Sequence, residues 1–333
     1  MNRRLFLAFS AAACVTPPAA AQNFDFTAAA TYSANRRGVS LLVMRRGDII
    51  FEDYPNQGSA GRGWELASGT KSFTGVMCAA AIHDRLISSW DERAADTLTE
   101  WRDDARRDIT IRHLLSLTSG ISGGPIARPP TYADAIAQPA EAAPGERFAY
   151  GPTPFQVFGE IIRRKTGGDP LDYLTRRILA PLDIHPTAWR RGADGMPHMP
   201  SGAGLTARDW ARFGWFVLQG GEGRVDRGAL RECFDGSRAN PGYGLSFWLL
   251  RDGLVRPGRN AGVEIDTTLS ERFGGISMAA GAGNQRLYLI PALDLVIARQ
   301  ATGILQALMR RNNGPEWSDA EFLRAALGSV TAR

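Results

Sequence analysis

Residues 67–75 read ASGTKSFTG. They hold a serine, Ser68, and a lysine, Lys71, three positions apart, at what reads as the start of an apolar helix spanning LASGTKSFTGVMCAAAIHDRLI (66–87). Of the 39 Lys and Arg residues only two are lysines, Lys71 and Lys165; the other 37 are arginines. A lysine kept where arginine is used almost everywhere else calls for a chemical reason. Positions i and i+3 share one face of a helix, so the two side chains can touch. The first turn also carries unpaired N–H groups and the positive end of the helix dipole, a good place for a nucleophile whose attack creates an oxyanion. Serine needs a base. A lysine whose pKa falls on burial can serve, whereas arginine stays protonated.

Upstream, GVSLLVMRRGDIIFEDY (38–54) reads as a β-hairpin turning at Gly47. Downstream, segments 90–101, 108–117, 131–138, 154–168, 171–179 and 204–221 read as helices joined by Pro- and Gly-rich loops, the last capped by Thr206 and stopped at Gly220. Strand patterns return at 242–250, 272–280 and 285–300, the last broken at Pro291 and Ala292. Residues 318–327 close the chain as a helix capped by Ser318 with Glu321 at the third helical position. Strands at both ends with helices between them predict an α/β protein of the α+β type. An antiparallel sheet flanked by helices comes from 22–90 and 235–333, and a mainly helical lobe is inserted over 91–234.

Composition narrows the function. Residues 1–21 carry Arg3 and Arg4, a short apolar run and Ala19-Ala20-Ala21, the pattern of a secretory signal. Export to the periplasm is expected, and Cys14 leaves a lipoprotein site as the alternative. The run is too short for a mature membrane span, and no other candidate is visible. Net charge is +5 with arginines scattered beside acids, as in RDDARR (102–107), which gives no nucleic-acid stripe. Cys78 and Cys233 read as buried free thiols, with pairing open in an oxidising compartment. His83, His113, His185 and His198 lack metal spacing, and His113 reads as structural. No G-x-S-x-G elbow, phosphate loop or dinucleotide fingerprint is present, and no cofactor is expected.

With RLISSWDERAADTLTEW (85–101), DITIRHLLSLTSGI (108–121), GLTARDWARFGWFVLQGG (204–221) and GYGLSFW (242–248) following in order, the chain resembles the serine hydrolases related to β-lactamases and penicillin-binding proteins. Within them it is most similar to the class C-related branch, which includes esterases and 6-aminohexanoate-dimer hydrolases. The resemblance implies that Ser68 and Lys71 are the S-x-x-K nucleophile and proton partner. It makes Tyr150, in FAYGPTPF, the tyrosine of the second motif, where Pro152 replaces the usual Asn or Ser. Whether Lys71 or Tyr150 is the base stays open. The literal Lys165-Thr166-Gly167 is a poor third motif, because it ends a helix only 15 residues after Tyr150. Ala279-Ala280-Gly281 fits the third motif's place on a late strand but lacks its basic residue. The resemblance then implies an oxyanion hole from the N–H groups of Ser68 and Ala282, with Gly281, Asn284 and Gln285 near substrate. The expected reaction is acyl transfer from an ester or a small or peptide-like amide to Ser68, then hydrolysis. The alternatives are a penicillin-binding carboxypeptidase or true β-lactamase, and a non-catalytic protein that binds a cell-wall fragment.

Overall fold

The structure is a computed structural model describing residues 24–257, 263, 266–309 and 316–328. The proposed signal and Cys14 lie outside the described residues. The expected hairpin is formed by β1 (Gly38–Arg45) and β2 (Asp48–Asp53). Arg46 and Gly47 make the turn at φ 53° and 89°, the two-residue geometry whose twist suits a tight hairpin. The further strands are β3 (Trp64–Glu65), β4 (Ala188–Trp189), β5 (Ala203–Leu205), β6 (Trp248–Leu249), β7 (Ser277–Gly281), β8 (Gln285–Ile290) and β9 (Leu295–Ala301).

Six strands form one antiparallel sheet in the order β2-β1-β9-β8-β7-β6. The first strands therefore pair with the last, as the placement of strand patterns at both ends implies. A second, three-stranded sheet has the order β3-β5-β4. Both β8 and β9 are buried along their whole length, because helices cover both faces. On one face the Ala207–Leu218 helix packs so closely that a Cβ at Gly214 would lie 2.7 Å from Val296 and 3.2 Å from Leu287 and Leu289. On the other face, the Asp319–Leu327 helix stacks Phe322 on Tyr288, with ring centroids 5.5 Å apart. Helix α1 (Thr27–Ala34) lies beside that helix, its Tyr32 ring 5.4 Å from Trp317. The Ala207–Leu218 helix falls within the 91–234 stretch but belongs to the sheet's cover. A separate small core of Ala94, Leu98, Trp101, Ile109, Leu114, Val157 and Ile161 holds the helical lobe together.

Several local expectations shift. The 242–250 strand shortens to β6 with a bridge between Tyr243 and Trp248. The 272–280 strand begins only at Ser277, because Asp266 caps a helix over Thr267–Arg272. Helix α1 carries no stripe of large apolar residues and was invisible to periodicity. It is held by tertiary packing of Ala29 and Ala30. The cap at Thr206 is present, its hydroxyl accepting from the Asp209 N–H at 3.1 Å, and so is the cap at Ser318, which accepts from the Glu321 N–H at 3.2 Å.

Candidate active site

The nucleophile turn is a 3₁₀ segment, Ala67–Thr70, that runs into α2 (Lys71–His83). In a 3₁₀ turn, side chains at i and i+3 eclipse. This places Ser68 directly over Lys71, whose Nζ donates to Ser68 Oγ at 3.1 Å. The turn is fixed on several sides. Leu66 N–H donates to the Ala203 carbonyl of β5 at 2.9 Å. The Thr70 hydroxyl donates to the Ala67 carbonyl at 2.8 Å and accepts from Ala203 N–H at 3.2 Å. Ala67 sits at φ 46°, a left-handed conformation that costs a non-glycine residue about 1–3 kcal/mol. Gly69 is required by packing, since a Cβ there would lie 2.9 Å from the Trp210 ring.

Lys71 is 3% exposed, while Ser68 is only partly covered. A reagent can therefore reach the hydroxyl while the amine stays dry. The Lys71 amine also donates to the Pro200 carbonyl at 3.3 Å. It lies 4.8 Å from the Tyr150 ring centroid and 5.3 Å from that of Phe155. Among the described residues no carboxylate compensates its charge. Burial pushes its pKa down from 10.5 to about 7. Tyr150 moves the other way. Burial pushes its phenol up to about 12, offset in part by the Ser68 hydroxyl and by the more distant Arg286 charge. At neutral pH the lysine is thus near its midpoint and the phenol holds its proton.

Tyr150 belongs to an aromatic cluster with Phe148, Tyr243 and Trp248. Its ring is 5.5 Å from Trp248 and stands edge-on to Tyr243 at 6.3 Å. Pro152 stands at the N-terminus of the Thr153–Thr166 helix, where the usual motif would carry an amide or hydroxyl. Gln156, one turn further on, does not replace it. Its amide is buried, donates to the Pro130 carbonyl at 2.7 Å and accepts from Met199 N–H at 3.0 Å.

The β7–β8 hairpin reaches the nucleophile turn. A Cβ on Gly281 would lie 2.0 Å from the Leu66 carbonyl oxygen and 3.0 Å from Gly69 N. Only glycine permits that approach. Ala282, Gly283 and Asn284 form the three-residue turn, with φ of 72° at Gly283 and 63° at Asn284. Ala282 and Asn284 are partly exposed. Gln285 departs from the expectation that it faces substrate. It is fully buried, and its amide donates to the Ala301 carbonyl at 2.7 Å and accepts from Ala301 N–H at 3.1 Å. Its amide is spent on joining β8 to β9.

The structure brings Ser68, Lys71 and Tyr150 together and leaves the decoy motif elsewhere. Lys165 pairs with Glu92 at 2.8 Å, and Gly167 at φ 69° ends the helix. His113 forms a reciprocal cap with Thr110, as a structural histidine would. Cys78 and Cys233 are free, buried thiols. Among the described residues no cluster of His, Cys, Asp or Glu could hold a metal ion, and no helix is long and apolar enough to cross a membrane. The Pro200 carbonyl was missed in the sequence because a main-chain group leaves no residue signature.

Comparison with known proteins agrees with this fold. The chain aligns with a protein described as a β-lactamase from Bacteroides dorei at 20% identity, covering 84% of this chain and 91% of that one, with a TM-score of 0.67. A protein described as a 6-aminohexanoate-dimer hydrolase from Bacillus anthracis matches at 16% identity, covering 84% and 79%, with a TM-score of 0.65. EstCE1, a hydrolase with promiscuous acyltransferase activity, matches at 16% identity over 85% and 96%, with a TM-score of 0.63. At these identities the likenesses speak to the fold. No curated protein matches the sequence. The Beta-lactamase family model matches residues 19–303, most of the chain, and the protein therefore belongs to the β-lactamase family of serine hydrolases.

Proposed function

We propose that the protein is an exported serine hydrolase that cleaves esters or small amides through an acyl-enzyme on Ser68. The observation that carries this reading is the 3.1 Å contact between Ser68 Oγ and an amine that burial holds near pKa 7. In its neutral form Lys71 accepts the Ser68 proton as Oγ bonds to the substrate carbonyl carbon. The carbonyl oxygen becomes an oxyanion, held by the N–H groups of Ser68 and Ala282. Tyr150, protonated at neutral pH, hands its proton to the leaving oxygen or nitrogen and regains one from Lys71. Water then attacks the acyl carbonyl by the reverse proton path and releases Ser68. Lys71 is the better base of the two, because a phenol near pKa 12 is almost never ionised at pH 7.

Specificity follows from what surrounds Tyr150. An aromatic cluster and Pro152 occupy the place of polar anchors, and Ala279 contributes no charge. This supports uncharged acyl groups over the carboxylate-bearing β-lactams. The N-terminal signal pattern supports export. A fluorophosphonate probe tests the reading. Wild type labels at Ser68 with a rate that rises through about pH 7, as the lysine loses its proton, and Ser68→Ala does not label. Failure of Ser68 to react at any pH between about 6 and 10 would sink the hydrolase reading.

A further inference from the structure

The turn proposed to hold the oxyanion is gripped from behind by two buried arginines. Arg286, 1% exposed, donates from Nη1 to the Gly281 carbonyl at 3.3 Å and to the Gln285 carbonyl at 3.0 Å. Arg299, fully buried, donates to the Asn284 carbonyl at 2.7 Å. Its other donors reach the Arg36 carbonyl at 2.6 Å and the Ser33 hydroxyl at 3.0 Å, both at the end of α1. Three of the five main-chain carbonyls from Gly281 to Gln285 are thus tied to guanidinium groups. Arg286 is in turn held by Asp319 at 2.8 Å, and Asp319 also accepts from the Tyr288 hydroxyl and from Trp317 Nε1.

The Gly281 carbonyl and the Ala282 N–H belong to one peptide group. A charge-assisted bond to the carbonyl end draws electron density along the amide and makes the N–H end a stronger donor. The same bond fixes the plane of that peptide against the Ser68 turn, which Gly281 touches. The third motif that the family resemblance implies begins with a basic residue. Here Ala279 leaves that place empty, and the cation stands behind the strand instead. We propose that Arg286 is a positioning residue for acyl transfer, polarising and orienting the Gly281–Ala282 peptide as an oxyanion donor, with Arg299 fixing the far side of the turn. This rests on the reading of Ala282 as an oxyanion donor.

The test compares wild type, Arg286→Lys and the neutral pair Arg286→Gln/Asp319→Asn. The neutral pair keeps acceptors for Tyr288 and Trp317 and removes the two paired charges together. Turnover of p-nitrophenyl butyrate, fluorophosphonate labelling of Ser68 and thermal unfolding are measured on all three full chains. Loss of one oxyanion-hole donor costs about 10²–10³ in kcat. Weakening one instead predicts a fall of about tenfold in kcat for the neutral pair, with KM within about threefold. The acid limb of the pH profile, set by Lys71, stays in place. Arg286→Lys, which keeps the charge, recovers part of the loss although it is no more stable. A folded neutral pair with wild-type kcat, or a loss confined to KM, overturns the proposal. Loss in both variants without recovery by lysine also overturns it, since bulk rather than charge would then be at work. If wild type itself fails to label at Ser68, the hydrolase reading falls and the proposal falls with it. If wild type labels and the variants turn over normally, only the proposal falls.

Discussion

The two lysines of this chain sit in opposite kinds of place. Lys71 is buried at the start of α2 between a serine, a carbonyl and two aromatic rings, with no acid beside it among the described residues. Lys165 sits in the last turn of a helix, paired with Glu92 and followed by a left-handed glycine. Its neighbours spell Lys-Thr-Gly, a motif of the family, yet the letters there serve only to end a helix. Environment, not local spelling, separates the buried amine beside Ser68 from the ion-paired one at the helix end. An amine without a counter-charge in a dry pocket gives up its proton easily.

Exchanging the two roles by mutation should break this contrast. The largest effect is expected for Lys71→Arg. Arginine keeps its proton, so turnover of p-nitrophenyl esters should fall by about 10³-fold or more while circular dichroism shows a folded chain. Substantial remaining activity would remove the case for lysine as base. Next in size, Tyr150→Phe should lower kcat by about 10²-fold with little change in KM, since it deletes a proton carrier and leaves the aromatic packing intact. An unchanged kcat would assign the whole proton path to Lys71.

A stability measurement sharpens the same point. The folded-state pKa of Lys71 lies below its ordinary 10.5, at about 7. The unfolded chain therefore binds the proton more tightly. The penalty is full below pH 7 and fades as pH rises toward 10.5. Lys71→Met should accordingly be more stable than wild type by about 3 kcal/mol at pH 6, and the gain should shrink toward zero by pH 10. Chemical denaturation at three pH values checks it, and a pH-independent difference would contradict the assigned shift. The smallest effect belongs to Lys165→Arg. Arginine can keep the bond to Glu92, so activity should stay within about twofold and stability within about 1 kcal/mol. A large loss of activity there would mean that the decoy motif matters after all.

The sequence on its own carried the Ser68–Lys71 contact, because i, i+3 spacing in a turn or helix puts the two side chains together by local geometry alone. It carried the hairpin, the capped helices at Thr206 and Ser318, and the pairing of chain ends into one sheet. Each of these rests on short-range spacing or on alternation of apolar residues. Ordered motifs located Tyr150. What it misjudged was decided at long range. Gln285 looked available for substrate, but its amide is consumed by Ala301, sixteen residues away. Helix α1, with no apolar stripe, exists because β1 and the closing helix cover it. The low pKa of Lys71 depends on burial, with Pro200, Tyr150 and Phe155 closing over it. The arginines behind the 282–284 turn bond main-chain carbonyls, and a carbonyl is the same in every residue. Local spacing can say which side chains are neighbours. Only the packed fold decides how dry a group is and which backbone groups face it, and those two quantities set the chemistry.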